Sequence, residues 1–355
     1  LEQAIAGRDV EPFLDAVLID EGQDLPPAFY RLAMKALRPP HRLYWAYDEA
    51  QGIGNLVVPR AANVFGQDDD GRPRVDLSGY YPSGIQKAHN LNRCYRTPAA
   101  ILRTAHAFNM GLLRDGGPLQ GVTTRQEWEF LGYEVEGEFS QAAVAAGQMV
   151  RLRRALEACG HPYDDDAFKG SLRPERCLET RACASKDEAL AALTRGIAAD
   201  LEAGLEAGDI LVTLLPGCGL SGAVVTRALE AAGIPAFEAG TDAQRAVFRD
   251  AQRVTVASIF RAKGNEAWKV YAVGLHVADA RRCPGPDAEL VRRNQVFTAL
   301  TRAQAWCVAI GLAGPAMDEL QRLAAAETIE FRAFNQRSLQ RHVAHEEHAQ
   351  EDLFG

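Results

Sequence analysis

The chain has 355 residues, which is enough for about two domains with a substantial core. Acidic residues outnumber basic ones by 47 to 39, and the net charge of -8 argues against a surface coated in basic residues, although a local basic track remains compatible with nucleic-acid binding. No apolar run approaches the ~20 residues needed to span a bilayer, and the first residues lack a signal-peptide pattern, so we expect a cytoplasmic protein that does not enter a membrane.

The first predicted elements are a strand over 15–20, a helix over 26–37 and a strand over 43–47. The first strand is an apolar, β-branched run that we expect to be buried. Two strands and one helix cannot bury both faces of a sheet, so we expect a truncated sheet whose amino-terminal portion lies outside this chain. A stretch rich in Gly, Pro and Asp over 66–84 is typical of a linker. We therefore place a first domain at 1–83.

The second predicted domain covers 84–330 and alternates strands with helices, a pattern that predicts an α/β fold with a parallel sheet. Within it, residues 111–174 are less regular and are interpreted as an insertion, in which 132–139 alternates like a hairpin strand. Residues 331–355 are expected to form a helical or flexible tail. The predicted strands cover 176–183, 209–214, 236–238, 254–259, 270–274 and 305–311, and the predicted helices cover 97–109, 186–205, 221–232 and 287–302.

Polar residues follow both strands of the first domain. Asp20, Glu21, Gln23 and Asp24 come directly after the first strand, and the second strand is followed by a segment with Asp48 and Gln51. At the carboxyl edge of an open α/β sheet, where ligands bind, neighbouring carboxylates can share the work of nucleotide hydrolysis. In this interpretation Asp20 binds Mg²⁺ through water and Glu21 polarises the attacking water. The alternative is a simple cap of the helix that begins near Pro26-Pro27.

Three further segments carry polar or aromatic residues beside predicted helices or strands. Leu91-Asn-Arg-Cys-Tyr-Arg-Thr97 places Tyr95 and Arg96 before a helix, where they suit base stacking and phosphate neutralisation. The other two are Ser258-Ile-Phe-Arg-Ala-Lys-Gly-Asn-Glu266 and Phe297-Thr-Ala-Leu-Thr-Arg-Ala303. With the two acidic segments, five motifs occur in a fixed order along the chain.

In the order and rough spacing of these motifs, residues 15 to 312 resemble the superfamily 1 DNA helicases of the UvrD/Rep type. The resemblance implies a RecA-like helicase core of the P-loop NTPase fold, here a partial first RecA-like domain and a complete second one with a small insertion. Proteins of this family bind ATP between two RecA-like domains and step along single-stranded DNA, so the implied partners are ATP, Mg²⁺ and single-stranded DNA.

The resemblance also implies roles for individual residues. Asp20, Glu21, Gln23 and Asp24 match the Walker B motif, and Asp48 and Gln51 match the following motif, in which Gln51 bridges a phosphate to the neighbouring domain. Tyr95 and Arg96 match the residues that stack on adenine and contact the γ-phosphate. Lys263, Gly264 and Glu266 match a segment whose carboxylate binds the ribose, Arg302 matches the second γ-phosphate arginine, and Arg261 and Lys263 are the candidate DNA phosphate contacts.

Four positions depart from the family pattern. Tyr47 replaces a glycine, Cys94 an asparagine, Phe260 a histidine and Asn265 a leucine. These departures support an alternative hypothesis, a catalytically silent helicase-like nucleotide-binding scaffold that recruits partners. A third hypothesis, a receiver domain with Asp20 as phosphoacceptor, does not explain Arg96 or Arg302.

A P-loop, Gly-x-x-x-x-Gly-Lys-Ser/Thr, is expected before the acidic strand, and this chain contains no Gly-Lys dipeptide. We therefore expect a carboxy-terminal fragment that alone hydrolyses ATP slowly or not at all.

Several other patterns are interpreted as structural. The histidines at 342, 345 and 348 lack a metal-binding spacing, and the aspartate runs 68–70 and 164–166 do not continue into calcium-binding loops. Trp45 and Phe65 are candidate stacking platforms, although Trp45 lies within a strand and is expected in the core. The seven cysteines include no Cys-x-x-Cys pair and are expected to be reduced thiols.

Overall fold

The computed structural model describes residues 11–51, 61–137, 148–164, 177–240, 247–334 and 339. The described residues belong to two units, 11–89 and 90–339, compared with the boundary at 83/84 expected from the sequence. Within the described ranges, no helix combines the length and the apolar character required to cross a bilayer.

The first unit contains a two-stranded parallel sheet of β1 (Leu14–Ile19) and β2 (Leu37–Trp45), with helices α1 (Pro27–Ala36) and α2 (Ala61–Phe65). Helix α1 begins after Pro26, where a proline at the first helical position loses no helical hydrogen bond. Its buried residues Tyr30, Ala33 and Ala36 are spaced by three and lie along one side of the helix, and Ala28 is also buried. A small core forms where Ile19, Tyr30 and Val64 pack together.

Strand β1 is less buried than its apolar sequence predicts. Ile19 is buried, but Leu18 is 80% exposed, and Tyr44, its partner on β2, is 55% exposed. Successive strand residues point to opposite faces of a sheet, and α1 packs against the face that carries Ile19. The expectation of a buried strand was therefore wrong for one of its two faces. The residues expected to form a linker, 66–84, contain turns and isolated bridges.

The second unit is built on a six-stranded parallel sheet. This confirms the predicted α/β fold with a parallel sheet. In the order in which they lie in the sheet, the strands are β5 (Leu178–Cys183), β10 (Ala303–Leu312), β9 (Ala267–Val273), β6 (Ile210–Leu214), β8 (Val254–Ser258) and β7 (Ala236–Glu238). The central strand β6 is buried along its whole length, as expected for a strand covered on both faces.

Helices cover this sheet, and the four that were predicted begin and end within a few residues of their predicted positions. They are α3 (Ala99–Met110), α5 (Lys186–Glu202), α6 (Gly222–Ala231), α7 (Ile259–Ala262), α8 (Pro286–Leu300) and α9 (Pro315–Ala325). Side chains of α5 and α6 share one core with the strands, while α8 contacts β9 and β10 and packs against α3. Ser185 and Ser221 cap α5 and α6 with their hydroxyl groups. Helices α7 and α9 were not predicted.

A three-stranded antiparallel sheet joins the expected insertion to the expected tail. It has the order β11-β4-β3, with β3 (Tyr133–Glu136), β4 (Met149–Arg154) and β11 (Ile329–Arg332), and helix α4 (Arg125–Phe130) precedes it. The assignment of 331–355 as a tail from its first residue was therefore wrong, because β11 pairs with β4. Its side chains alternate, with Ile329 and Phe331 buried.

Candidate nucleotide and nucleic-acid sites

In the first unit, the chain turns sharply after β1. Glu21 adopts the left-handed conformation, with φ 52°, and residues Gly22–Asp24 form a single 3₁₀ turn. Gly22 is the residue that permits this turn to pack, because a Cβ there would lie 2.3 Å from the Tyr30 hydroxyl and 3.0 Å from the Ala46 carbonyl. The Gly22 N–H donates to that carbonyl at 2.8 Å. The ends of β1 and β2 are thereby held together.

The predicted site residues of the first unit form one hydrogen-bonded group. Gln23 connects the two strand ends: its Nε2 donates to Glu21 Oε2 at 2.6 Å, and its Oε1 accepts from the Asp48 N–H at 3.0 Å. Gln51 Nε2 in turn donates to Asp48 Oδ2 at 2.7 Å. Gln23 and Gln51 are buried, at 2% and 9% exposure. The tertiary structure therefore brings Glu21, Gln23, Asp48 and Gln51 together.

Asp20 lies at the exposed edge of this group. Its Oδ1 accepts the Glu21 N–H at 2.8 Å. Within the described ranges, no three His, Cys, Asp or Glu side chains form a metal-binding cluster. Mg²⁺ at nucleotide sites commonly uses one or two carboxylates together with waters and substrate phosphates. The exposed Asp20 carboxylate fits such a contact through water.

In the second unit, three predicted motifs that are distant in sequence meet at the amino-terminal ends of β9 and β10. Arg96 Nε lies 3.4 Å from Glu266 Oε2, and Gln304 Nε2 donates to Glu266 Oε1 at 2.7 Å. The Thr97 hydroxyl donates to the Thr301 carbonyl at 3.4 Å. The Arg96 and Glu266 side chains are each 41% exposed. They therefore form a surface ion pair that an incoming ligand can separate.

Tyr95 presents its ring to solvent beside this ion pair. The residue is 66% exposed, and the Arg93 guanidinium lies 5.2 Å from the ring centroid. Gly160 lies against the ring, since a Cβ at that position would lie 2.6 Å from Tyr95 Cδ1. An exposed aromatic ring supported from one side is suited to stacking on a base.

Arg302 is placed differently from what the sequence led us to expect. It is only 2% exposed, and its Nε donates to the Thr298 carbonyl at 3.0 Å, one turn earlier in α8. A direct contact with a nucleotide phosphate requires this side chain to leave these contacts. The role of Arg302 therefore stays a prediction.

The candidate phosphate contacts are Arg261, on α7, and Lys263, in the loop between α7 and β9. Arg261 is exposed and Lys263 is half-buried. Gly264 has φ 82°, a conformation that glycine adopts at little cost, and a Cβ there would meet no atom within 4 Å. Phe260 and Trp268 expose 54% and 47% of their surfaces on either side of this loop. Residues 260 to 268 thus combine cations with exposed aromatic rings, which is the composition of surfaces that bind single-stranded nucleic acid.

Two residues of this region were not identified from the sequence. His161 Nδ1 accepts the Tyr163 N–H at 3.1 Å, so Nε2 carries the hydrogen and donates to the Gln304 carbonyl at 2.7 Å. Burial lowers the pKa of His161, which favours this neutral form. Gln304 thus joins the insertion to Glu266. No sequence pattern links His161 to Gln304, whereas Gln304 could have been noticed because it follows the Thr-Arg-Ala motif directly.

Several residues interpreted as structural can be checked directly. Asp164 accepts the Ala99 N–H with both carboxylate oxygens at 3.0 Å and so caps α3, and Asp68 Oδ1 accepts two N–H groups of its own turn. Trp45 packs against Tyr30 and Phe65, with ring centroids 5.9 and 6.3 Å apart. Trp45 and Phe65 are partly buried and pack against the small core of Ile19, Tyr30 and Val64, in line with the expectation for Trp45, and their role as stacking platforms stays a prediction. Residues 342, 345 and 348 lie outside the described residues.

Comparisons with known proteins add little to this geometry. No protein-family model matches the chain, and no curated protein matches it. Among solved structures, it is similar to the C-terminal domain of a possible DNA helicase from Lactobacillus plantarum WCFS1, with 19% sequence identity, a TM-score of 0.29, and coverage of 41% of this chain and 83% of that one. At this TM-score the similarity does not establish a shared fold.

Proposed function

We propose that this chain carries motor motifs of an ATP-dependent DNA helicase or single-stranded DNA translocase of the UvrD/Rep type. In this proposal each unit is a RecA-like domain, and ATP hydrolysis drives stepping on DNA. The main support is that motifs far apart in sequence are neighbours in space. Glu21, Gln23 and Asp48 share hydrogen bonds in the first unit, and in the second Glu266 forms an ion pair with Arg96 and accepts a hydrogen bond from Gln304.

In the first unit the residues divide the chemistry. Asp20 is exposed and binds Mg²⁺ through water, and the ion supplies charge neutralisation of the phosphates when bound. Glu21 accepts a proton from the attacking water. Gln23 holds the Glu21 carboxylate on one side and the Asp48 N–H on the other, so it positions the base. Gln51, whose side-chain amide donates a hydrogen bond to the Asp48 carboxylate, contacts a phosphate of the nucleotide.

In the second unit Tyr95 stacks on the base, Arg96 and Arg302 stabilise phosphate charge, and Glu266 binds the ribose. These roles require Arg96 and Glu266 to exchange their mutual contact for nucleotide contacts. The pair is surface-exposed, and exposed ion pairs are worth only about 0–1 kcal/mol, so the exchange is inexpensive. Arg261 and Lys263 contact DNA phosphates, with Gly264 providing the turn.

The test is the ATPase activity of the complete product of the encoding gene, with and without single-stranded DNA. We expect Glu21→Gln to lower turnover by roughly 10²–10⁴-fold, as for loss of a general base, and Arg302→Ala by roughly 10³–10⁵-fold, as for loss of an arginine finger. The matched controls are Glu230→Gln and Arg227→Ala, both exposed on α6. Stimulation by DNA that survives both site changes would refute the proposal.

The second candidate is a catalytically silent, helicase-like scaffold that binds nucleotide and recruits partners. The observation that favours it is the burial of Arg302 against its own helix. Tight ATP binding without turnover in the complete gene product, unchanged by Arg302→Ala, would favour this candidate over the motor.

A further inference from the structure

Two of the seven cysteines lie side by side next to the segment that carries Tyr95 and Arg96. Cys94 and Cys159 are directly paired in an isolated parallel bridge. The Cys94 N–H donates to the Ala158 carbonyl at 3.0 Å, and the Gly160 N–H donates to the Cys94 carbonyl at 2.8 Å. These hydrogen bonds flank Cys159 on both sides. The two cysteines therefore face each other across the bridge.

This pairing suits a disulfide bond. Neighbouring strands lie about 4.8 Å apart, which is within the roughly 4.4–6.8 Å between Cα atoms that a disulfide spans. Directly paired residues on neighbouring strands place their side chains on the same face. Cys94 and Cys159 are also both partly exposed, so a small oxidant can reach them.

A second pair of cysteines provides an internal contrast. The Cys307 N–H donates to the Cys177 carbonyl at 2.7 Å, so these two residues are also neighbours. In the sheet register, however, Cys307 pairs with Leu178. The side chain of Cys177 therefore points to the opposite face, and both cysteines are buried. Closeness of two cysteines is therefore not sufficient for a disulfide bond. The two residues must also be directly paired across the strands and be accessible to the oxidant.

The two sulfur atoms have different surroundings. Cys94 Sγ exchanges hydrogen bonds with the Thr97 backbone, since it accepts the Thr97 N–H and donates to the Thr97 carbonyl, each at 3.5 Å. Burial raises the pKa of the Cys159 thiol to about 11, with smaller contributions from Asp164 and Cys94. Because burial disfavours the Cys159 thiolate, Cys159 is the poorer first nucleophile, and the exchange starts at Cys94.

We propose that Cys94 and Cys159 form a reversible disulfide when the protein meets a small-molecule disulfide of the glutathione type. The Cys94 thiolate attacks one sulfur of oxidised glutathione and releases one glutathione thiolate. The Cys159 thiolate then attacks Cys94 Sγ in the mixed disulfide and releases the second. Both cysteine protons end on the two glutathione molecules, so two thiols are oxidised as one disulfide is reduced. Where glutathione keeps thiols reduced, disulfides are rare, and those that do form are usually transient and either catalytic or redox-sensing.

The consequence is a covalent link between the insertion and the segment that carries Tyr95 and Arg96. Residues 94 to 96 would be held against residues 158 to 160, where Gly160 already supports the Tyr95 ring. The disulfide itself does not depend on the proposed function. A failed ATPase test would leave it standing, and a failed disulfide test would leave the motor proposal standing.

The experiment incubates the folded protein with oxidised glutathione, blocks remaining thiols, and counts them after denaturation. We expect the seven thiols to fall to five and to return to seven after reduction. Trypsin without reduction should yield one cross-linked species, residues 94–96 joined to residues 155–169. Cys94→Ser and Cys159→Ser should each lose this species, whereas Cys283→Ser, which removes another partly exposed thiol, should retain it.

Oxidation in urea tests whether the folded structure, rather than the reactivity of the thiols, selects Cys94 and Cys159. An unfolded chain has no bridge between these two residues. The 94–159 link should then lose its dominance among the possible disulfides. Three results on the unmodified folded protein would overturn the proposal. They are no loss of thiols, a glutathione adduct on Cys94 that never closes, and a dominant link between any other two cysteines.

Discussion

A buried ion cluster in the second unit makes a sharp prediction about stability. Arg293, on α8, is 2% exposed. Its Nε donates to Glu289 at 2.9 Å, and its two terminal nitrogens donate to Glu319, on α9, at 3.1 and 2.7 Å. A further bond reaches the Phe108 carbonyl on α3. This guanidinium thus joins three helices, and Arg293→Met removes the charge while keeping much of the volume.

The magnitude follows from what the substitution leaves behind. Glu289 keeps Arg114, whose nitrogens donate to it at 2.8 and 2.9 Å. Glu319 is 2% exposed and loses the cation that pairs with it. Removing one partner of a buried pair typically costs about 3–5 kcal/mol, a large part of the roughly 5–15 kcal/mol that stabilises a domain. At about 2–4 °C per kcal/mol, we expect the melting temperature to fall by roughly 10 °C.

The penalty should depend on pH in a defined direction. Burial raises the pKa of Glu319 even with Arg293 beside it, and loss of the cation raises it further. A carboxylic acid whose pKa is higher in the folded than in the unfolded protein stabilises the folded state at pH values below its unfolded pKa. This stabilisation is lost as the pH rises through the folded pKa. The deficit of the variant should therefore be larger at pH 8 than at pH 5.

The assay is urea unfolding followed by circular dichroism at both pH values. The double variant Arg293→Met/Glu319→Leu should recover most of the loss, because it leaves no unpaired buried charge. Arg322→Met is the matched control, since Arg322 is half-exposed on the same helix as Glu319, and it should cost less than about 1 kcal/mol. A single variant that costs less than 1 kcal/mol, or a double variant as unstable as the single, would contradict the reasoning.

Two other predictions concern single residues. Burial, with a smaller contribution from Arg282, lowers the pKa of His276 to about 4, and its Nδ1 accepts the Leu312 N–H at 3.1 Å. Because this pKa lies below the ordinary 6.5, about 3 kcal/mol of stability should be lost as the pH falls from 6.5 to 4. An NMR titration of the imidazole should give a midpoint near 4, and a midpoint near 6.5 would contradict this. Gly264→Ala should cost about 1–2 kcal/mol because of its positive φ. Gly264→Ala should also weaken single-stranded DNA binding, whereas Gly204→Ala, at φ 97° and equally open, should cost the same stability but leave DNA binding unchanged, so equal binding losses in both would argue against a role for Gly264.

Much of the second unit could be predicted from local sequence. The run at 210–214 is apolar throughout and forms the buried strand β6, and Ser185 and Ser221 mark the starts of α5 and α6. Strand β4 escaped prediction because its sequence, Met-Val-Arg-Leu-Arg-Arg, lies in an irregular region and alternates over only six residues. Strand β11 is shorter still. Such strands exist because they pair with each other, which is a long-range property.

The candidate sites also have some features that local sequence predicts and others that it does not. The sequence by itself determined which chemical groups are present and that Asp20 and Asp48 follow strands, because polar residues after apolar runs are a local pattern. Only the tertiary structure decided that Gln23 connects Glu21 to Asp48, that Arg96 meets Glu266, and that Arg302 is buried. The physical reason is that hydrogen bonds and burial depend on which strand ends and helices lie side by side, and sheet register, rather than local sequence, sets those neighbours.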